Sequence, residues 1–155
     1  MFEKVKNKSM NILWVYVAIM IPMWGVFLIN NVALNGAFSQ FGGVFPRTFS
    51  MTGFSGIFTS WAFHANWQHI IGNTQILLTL LFFVSLIEKN PLSMIISLIG
   101  VSGFFTWLFG APHTMHIGAS GLVFALMGYL FASIILARRW IYIVALFIMG
   151  ADYWY

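Results

Sequence analysis

The chain has 155 residues, of which 61% are apolar, 19% aromatic and only 6% charged. An ordinary soluble domain carries about 45–50% apolar and about 25% charged residues, so a water-soluble domain is excluded: it would expose apolar surface that only lipid accommodates. The net charge of +4 comes from basic residues scattered singly or in pairs, not gathered into a nucleic-acid face, and with no cysteine there is no disulfide framework, thiolate nucleophile or thiolate metal site.

A helix needs about 20 apolar residues to cross a bilayer, and this rule divides the chain. The first span is predicted over residues 11–30, after a basic start with Lys4, Lys6 and Lys8. Its apolar run is too long for a signal-peptide core and has no small-residue cleavage site, so it is read as retained. Pro22 is expected to kink it, which neighbouring helices in a bundle accommodate. Residues 31–68 are rich in Gly, Phe and Ser, with Trp61 and Trp67 suited to headgroup level, and read as a long extracytoplasmic loop holding short interfacial helices. Further spans are predicted over residues 69–87, 92–108, 118–137 and 140–155, the last being the weakest. The expectation is an all-α, polytopic transmembrane helical bundle of about five spans, forming a single domain over residues 1–155. No internal repeat or linker divides it. Basic residues near span ends favour the cytoplasm, so with the N-terminus inside, Lys89, Arg138 and Arg139 fall inside as well, and only Arg47 lies outside.

That topology starts the second and fourth spans at the extracytoplasmic side, where each opens on polar residues. His69 and Asn73 are spaced i, i+4 and share a helical face; Ser120 lies in Gly118-Ala119-Ser120-Gly121. Polar groups at that depth need partners or a water-filled cavity. A serine beside an imidazole and an amide suits acyl transfer, with a hydroxyl to attack and N–H groups to hold the developing oxyanion. Gly118 and Gly121 would let a substrate backbone approach and a neighbouring helix pack closely. His64, His113 and His116 read as structural loop residues. Four histidines on one side lack a carboxylate or thiolate among them, so no metal site is expected. Asn30, Asn31 and Gln75 read as span-end residues that meet headgroups or cap helices. Gly121, Ala125, Gly128 and Ala132 form a small-residue stripe that reads as an unoccupied docking face.

The segment Phe63-His64-Ala65-Asn66-Trp67-Gln68-His69-Ile70-Ile71-Gly72-Asn73 resembles the paired histidines and asparagine of the rhomboid family of intramembrane serine proteases. Gly118-Ala119-Ser120-Gly121 resembles that family's nucleophile motif, and Phe45-Pro46-Arg47 a first-loop segment of some bacterial members. The resemblance covers nearly the whole chain. It implies a rhomboid-like fold with a six-span core, and a serine endopeptidase that cleaves transmembrane protein substrates near the extracytoplasmic surface. Ser120 would be the nucleophile, and His69, Asn73 and the Ser120 backbone N–H the oxyanion donors, with no cofactor. Gly118 and Gly121 would serve packing, and His64 a structural position near the loop. It also implies a bacterial cytoplasmic membrane as location and a base histidine on a sixth span. No such residue precedes Tyr155, so the chain is read as C-terminally incomplete, through fragmentation, a premature stop or a truncated gene model. Two alternatives stand beside this reading. One is a catalytically inactive rhomboid-like protein that binds transmembrane segments; the other, ranked low, is a small transporter or channel subunit, which would place ionisable residues near the bilayer midplane.

Overall fold

A computed structural model describes residues 2–152. Seven α-helices run in chain order as α1 (Phe2–Phe27), α2 (Ser39–Gly42), α3 (Met51–Thr59), α4 (Trp67–Ile87), α5 (Pro91–Phe109), α6 (Ser120–Ala137) and α7 (Tyr142–Asp152). Among the described residues no strand forms, and the architecture is the all-α helical bundle expected from composition. Among the described residues, four helices are long and apolar enough to cross a membrane, over Lys8–Ala33, Trp67–Ile87, Pro91–Phe109 and Ser120–Ala137. The fifth expected span, residues 140–155, extends past the described residues. Its described helix α7 has 11 residues and rises about 16 Å, half of a hydrocarbon core of about 30 Å.

α1 and α4 run antiparallel, as three contacts at successive depths establish. The Tyr16 hydroxyl donates to the Leu78 carbonyl, the Trp24 indole donates to Thr74 Oγ1, and the Phe27 and Trp67 rings meet edge to face at 4.8 Å. Val15, Ile19, Met23 and Phe27 supply the buried stripe of α1 at helical spacing, and Leu77, Leu80, Leu81 and Val84 that of α4. Pro22 lies inside an unbroken α1, which passes into a π-helical segment over Leu28–Ala33. Leu122, Leu126 and Leu130 of α6 complete the core.

The loop stretch between α1 and α4 holds α2, α3 and a 3₁₀ turn over Ser60–Ala62. α3 packs onto α5 so closely that a methyl group on Gly103 would collide with the Ile57 carbonyl. Opposite ends of the bundle carry different chemistry. At one end Glu88, just after α4, pairs with Arg139, just before α7, and accepts hydrogen bonds from Tyr129 and Tyr142. At the other, Val44 and His116 exchange backbone hydrogen bonds at 2.9 Å, tying the first long loop to the α5–α6 connection. The small-residue stripe of α6 is only partly open. Gly121 abuts Ser102 of α5, whereas nothing stands within 4 Å of a methyl placed on Gly128.

Candidate active site

The end of the bundle that carries the Val44–His116 bridge also gathers the polar residues singled out from the sequence. α4 begins where the Asn66 side chain accepts the His69 N–H at 2.9 Å, an N-cap that fixes the register of the first turn. His69 and Asn73 therefore point the same way, one turn apart, and the Asn73 amide donates to the His69 carbonyl at 3.1 Å. α6 begins at Ser120, because Gly118 takes a left-handed φ of 116° and Ala119 stands at the N-cap without a side-chain capping bond. Ser120 is thus the first residue of a helix whose initial N–H groups have no intrahelical acceptor and carry the positive end of the helix dipole.

Ser120, His69 and Asn73 line one cavity of about 350 Å³, together with Gln68, Gly72, Gln75 and Ile76. The Ser120 hydroxyl makes no hydrogen bond to another described residue. It also borders a second cavity of about 220 Å³ on the α5 side, lined in part by Ser60, Ser102, Thr106 and His116. Gly118 is the contact point between the two motifs: a methyl added there would stand 2.5 Å from His69 Cε1 and Nε2 and 3.6 Å from the Asn73 amide nitrogen. Its N–H donates to the Ser60 carbonyl at 2.9 Å, which anchors the turn to the 3₁₀ segment. Gly121 lies on the α5 side of Ser120, against Ser102.

His64 is fully buried and its ring meets that of His69 edge to face at 5.0 Å. The Ala119 N–H donates to His64 Nε2 at 3.3 Å, so Nε2 is an acceptor and the proton belongs on Nδ1, facing the Ala62 carbonyl at 3.4 Å. Burial is the main reason the imidazole is pushed down to about 4; the neighbouring His69 adds to that effect and the Ala62 carbonyl opposes it. A charged ring would turn the acceptor of the Ala119 N–H into a second donor. Because the folded value lies below the ordinary 6.5, the unfolded chain binds the extra proton first. The stability His64 contributes is therefore present above about pH 6.5 and lost as pH falls toward 4. Unfolding midpoints across that window are expected to decline, and His64→Gln to decline less steeply; equal slopes would remove His64 as the cause.

Sequence reasoning missed part of the site. Asn31 was expected to meet headgroups, but its amide clasps the carbonyls of His64 and Ala65 at 2.9 and 3.1 Å. Asn30 is buried and joins Asn31, Ser39 and the Phe38 N–H. Both sit in the π-helical segment and hold the loop that leads into α4. Gln75 was likewise read as a headgroup residue, yet it lines the Ser120 cavity. Gln68, Gly72 and Gln75 fall at i, i+4 and i+7, a spacing that the sequence displays once Ser120 supplies the reference face. Among the described residues no group of three metal-ligating side chains comes together.

Comparison with known proteins bears on this arrangement. The family model described as the Rhomboid domain matches residues 51–152, more than half of the chain and the part containing both motifs. An uncharacterized protein of Mycobacterium leprae is 36% identical over 83 residues, covering 49% of this chain and 33% of that protein. Uncharacterized proteins of Mycobacterium bovis and Mycobacterium tuberculosis are 33% identical over 114 residues, covering 67% of this chain and 48% of theirs. The chain thus spans between a third and a half of the length of these curated relatives. No solved structure matches it significantly.

Proposed function

From the premise that the chain belongs to the rhomboid family, we propose that it carries the nucleophile half of an intramembrane serine endopeptidase acting on transmembrane segments near the extracytoplasmic surface. The observation that carries this reading is the single cavity shared by Ser120, His69 and Asn73 at the open N-terminus of α6. In the proposed reaction a general base takes the Ser120 proton as Oγ attacks the scissile carbonyl, and the oxygen becomes an oxyanion. The Ser120 N–H, His69 and the second hydrogen of the Asn73 amide are the donors placed around it. Collapse expels the amine and leaves an acyl ester, which water entering the cavity resolves.

No described histidine hydrogen-bonds to the Ser120 hydroxyl, and the family resemblance implies a base histidine on a further span, to which we assign that role. The same observation favours a second reading, in which a rhomboid-like chain binds transmembrane segments without cleaving them. Fluorophosphonate labelling separates the two. The reconstituted chain, alone and co-expressed with a histidine-bearing helix from a longer relative, is expected to label only in the second case, and Ser120→Ala is expected to abolish labelling. Absence of labelling in both, with helical content intact, would move the assignment to the binding role.

The proposed orientation places the N-terminus, Lys89, Arg138 and Arg139 in the cytoplasm and Ser120 near the opposite face, in a bacterial inner membrane. Since the chain has no cysteine, single replacements report topology cleanly. Thr114→Cys is expected to react with a membrane-impermeant maleimide added to spheroplasts, and Lys89→Cys only after permeabilisation. The reverse pattern would invert the orientation.

A further inference from the structure

A third cavity, of about 470 Å³, lies between the first long loop and the α5–α6 connection, lined by Phe45, Pro46, Arg47, Thr48, Pro112, His113 and Thr114. Its walls are held in place from both sides. The Arg47 N–H donates to the Trp107 carbonyl at 2.9 Å, the Trp107 indole donates to the Thr48 carbonyl at 3.3 Å, and the Val44–His116 bridge closes the base. Arg47 and His113 adopt left-handed φ values of 55° and 62°, a conformation that L side chains enter only where surrounding contacts impose it.

Arg47 is the cation of this cavity. Its Nη1 donates to the Leu108 carbonyl at 3.0 Å, at the C-terminal end of α5, and that is its only described side-chain hydrogen bond. Among the residues whose side chains are described, Glu88 is the only acidic one, and it is engaged at the opposite end of the bundle. Among the residues whose side chains are described, the remaining guanidinium donors therefore meet no carboxylate. Capping the α5 carbonyls accounts for one N–H; it accounts neither for the cavity nor for His113 and Thr48 among its lining residues.

Depth identifies the ligand class. Leu108 is the penultimate residue of a membrane-crossing helix, so a guanidinium bonded to its carbonyl stands at the boundary of the hydrocarbon. Phe49 and Phe109, flanking the cavity in sequence, are 78% and 72% exposed, as aromatic side chains seated among lipids would be. An exposed Arg at headgroup depth, in a cavity whose lining also includes Thr48, His113 and Thr114, matches a phosphate anion bound through parallel N–H donors. We propose that the Arg47 cavity binds the phosphodiester headgroup of an anionic phospholipid. The site is separate from the Ser120 cavity, shares no lining residue with it, and does not depend on the chain being a protease.

The test uses the 155-residue chain in neutral detergent with a photoactivatable phosphatidylglycerol analogue, followed by peptide mapping. Crosslinks within residues 45–48 and 112–114 are expected; crosslinks elsewhere only would overturn the proposal without any variant having to fold. In native mass spectrometry, Arg47→Gln is expected to bind short-chain phosphatidylglycerol about tenfold more weakly, the loss of one charge-assisted pair. Retained affinity in that variant would equally overturn it. Inorganic phosphate supplies the last arm: failure of millimolar phosphate to displace the lipid supports a lipid site, whereas displacement at matching affinity would make it a free-phosphate site and refute the lipid assignment.

Discussion

Glu88→Ala is expected to lower unfolding stability by about 2–4 kcal/mol, because one carboxylate fastens three separate elements. Glu88 Oε1 accepts the Tyr129 hydroxyl from α6 at 2.7 Å and the Tyr142 hydroxyl from α7 at 3.1 Å, and pairs with Arg139 between them. Tyr142 is fully buried, so removing its acceptor strands a hydroxyl away from water, while the half-exposed Arg139 is rehydrated at little cost. The buried hydroxyl therefore dominates the loss, and Glu88→Gln, which keeps an acceptor oxygen, is expected to cost about half as much. Titration with a denaturing detergent, read by circular dichroism, measures both. The same experiment with limited proteolysis should find α7 released first in Glu88→Ala, since the described part of α7 packs chiefly against α4 and α6. A change below about 0.5 kcal/mol would reduce the cluster to a surface ion pair.

That cluster marks a boundary of what the sequence reveals. Lys89, Arg138 and Arg139 were read as topology signals because each interrupts an apolar run. The pairing of Arg139 with Glu88 was not legible, because it joins loops 51 residues apart. Span lengths were legible for the same reason as the charges: lipid imposes a length of about 20 apolar residues on each crossing helix. The predicted start at His69 fell two residues late, since the polar residues before it belong to the capped first turn of α4. The predicted start at Gly118 fell two residues early, since glycine there supplies a left-handed turn instead of a helical residue. Of the candidate site, Ser120, His69 and Asn73 were singled out by motif spacing, and the structure brings all three to one cavity. Asn30 and Asn31 were not, because their partners Ser39, His64 and Ala65 lie 9 to 34 residues away and no local periodicity announces a buried amide.

The turn at Gly118 carries the second large expectation. Gly118→Ala is expected to slow fluorophosphonate labelling of Ser120, in the helix-supplemented chain, by about two orders of magnitude, the scale of a 1 Å misplacement of reacting groups. Two causes act together. A side chain at φ 116° is strained whatever space surrounds it, at about 1–3 kcal/mol. The methyl would also stand 2.5 Å from the His69 ring, which relieves the overlap by rotating away from the site. Such rotation separates His69 from His64, its edge-to-face partner, and withdraws one of the two proposed side-chain oxyanion donors, leaving Asn73. Gly72→Ala is the matched control, because Gly72 lines the same cavity and nothing stands within 4 Å of an added methyl. That variant should label at the wild-type rate and gain about 0.5–1 kcal/mol from helix propensity. If both variants slow labelling equally, the cavity tolerates no added carbon and Gly118 has no special part in holding His69. If Gly118→Ala alone does so while its helical content and fold persist, the left-handed glycine is what sets the distance between the imidazole and the serine.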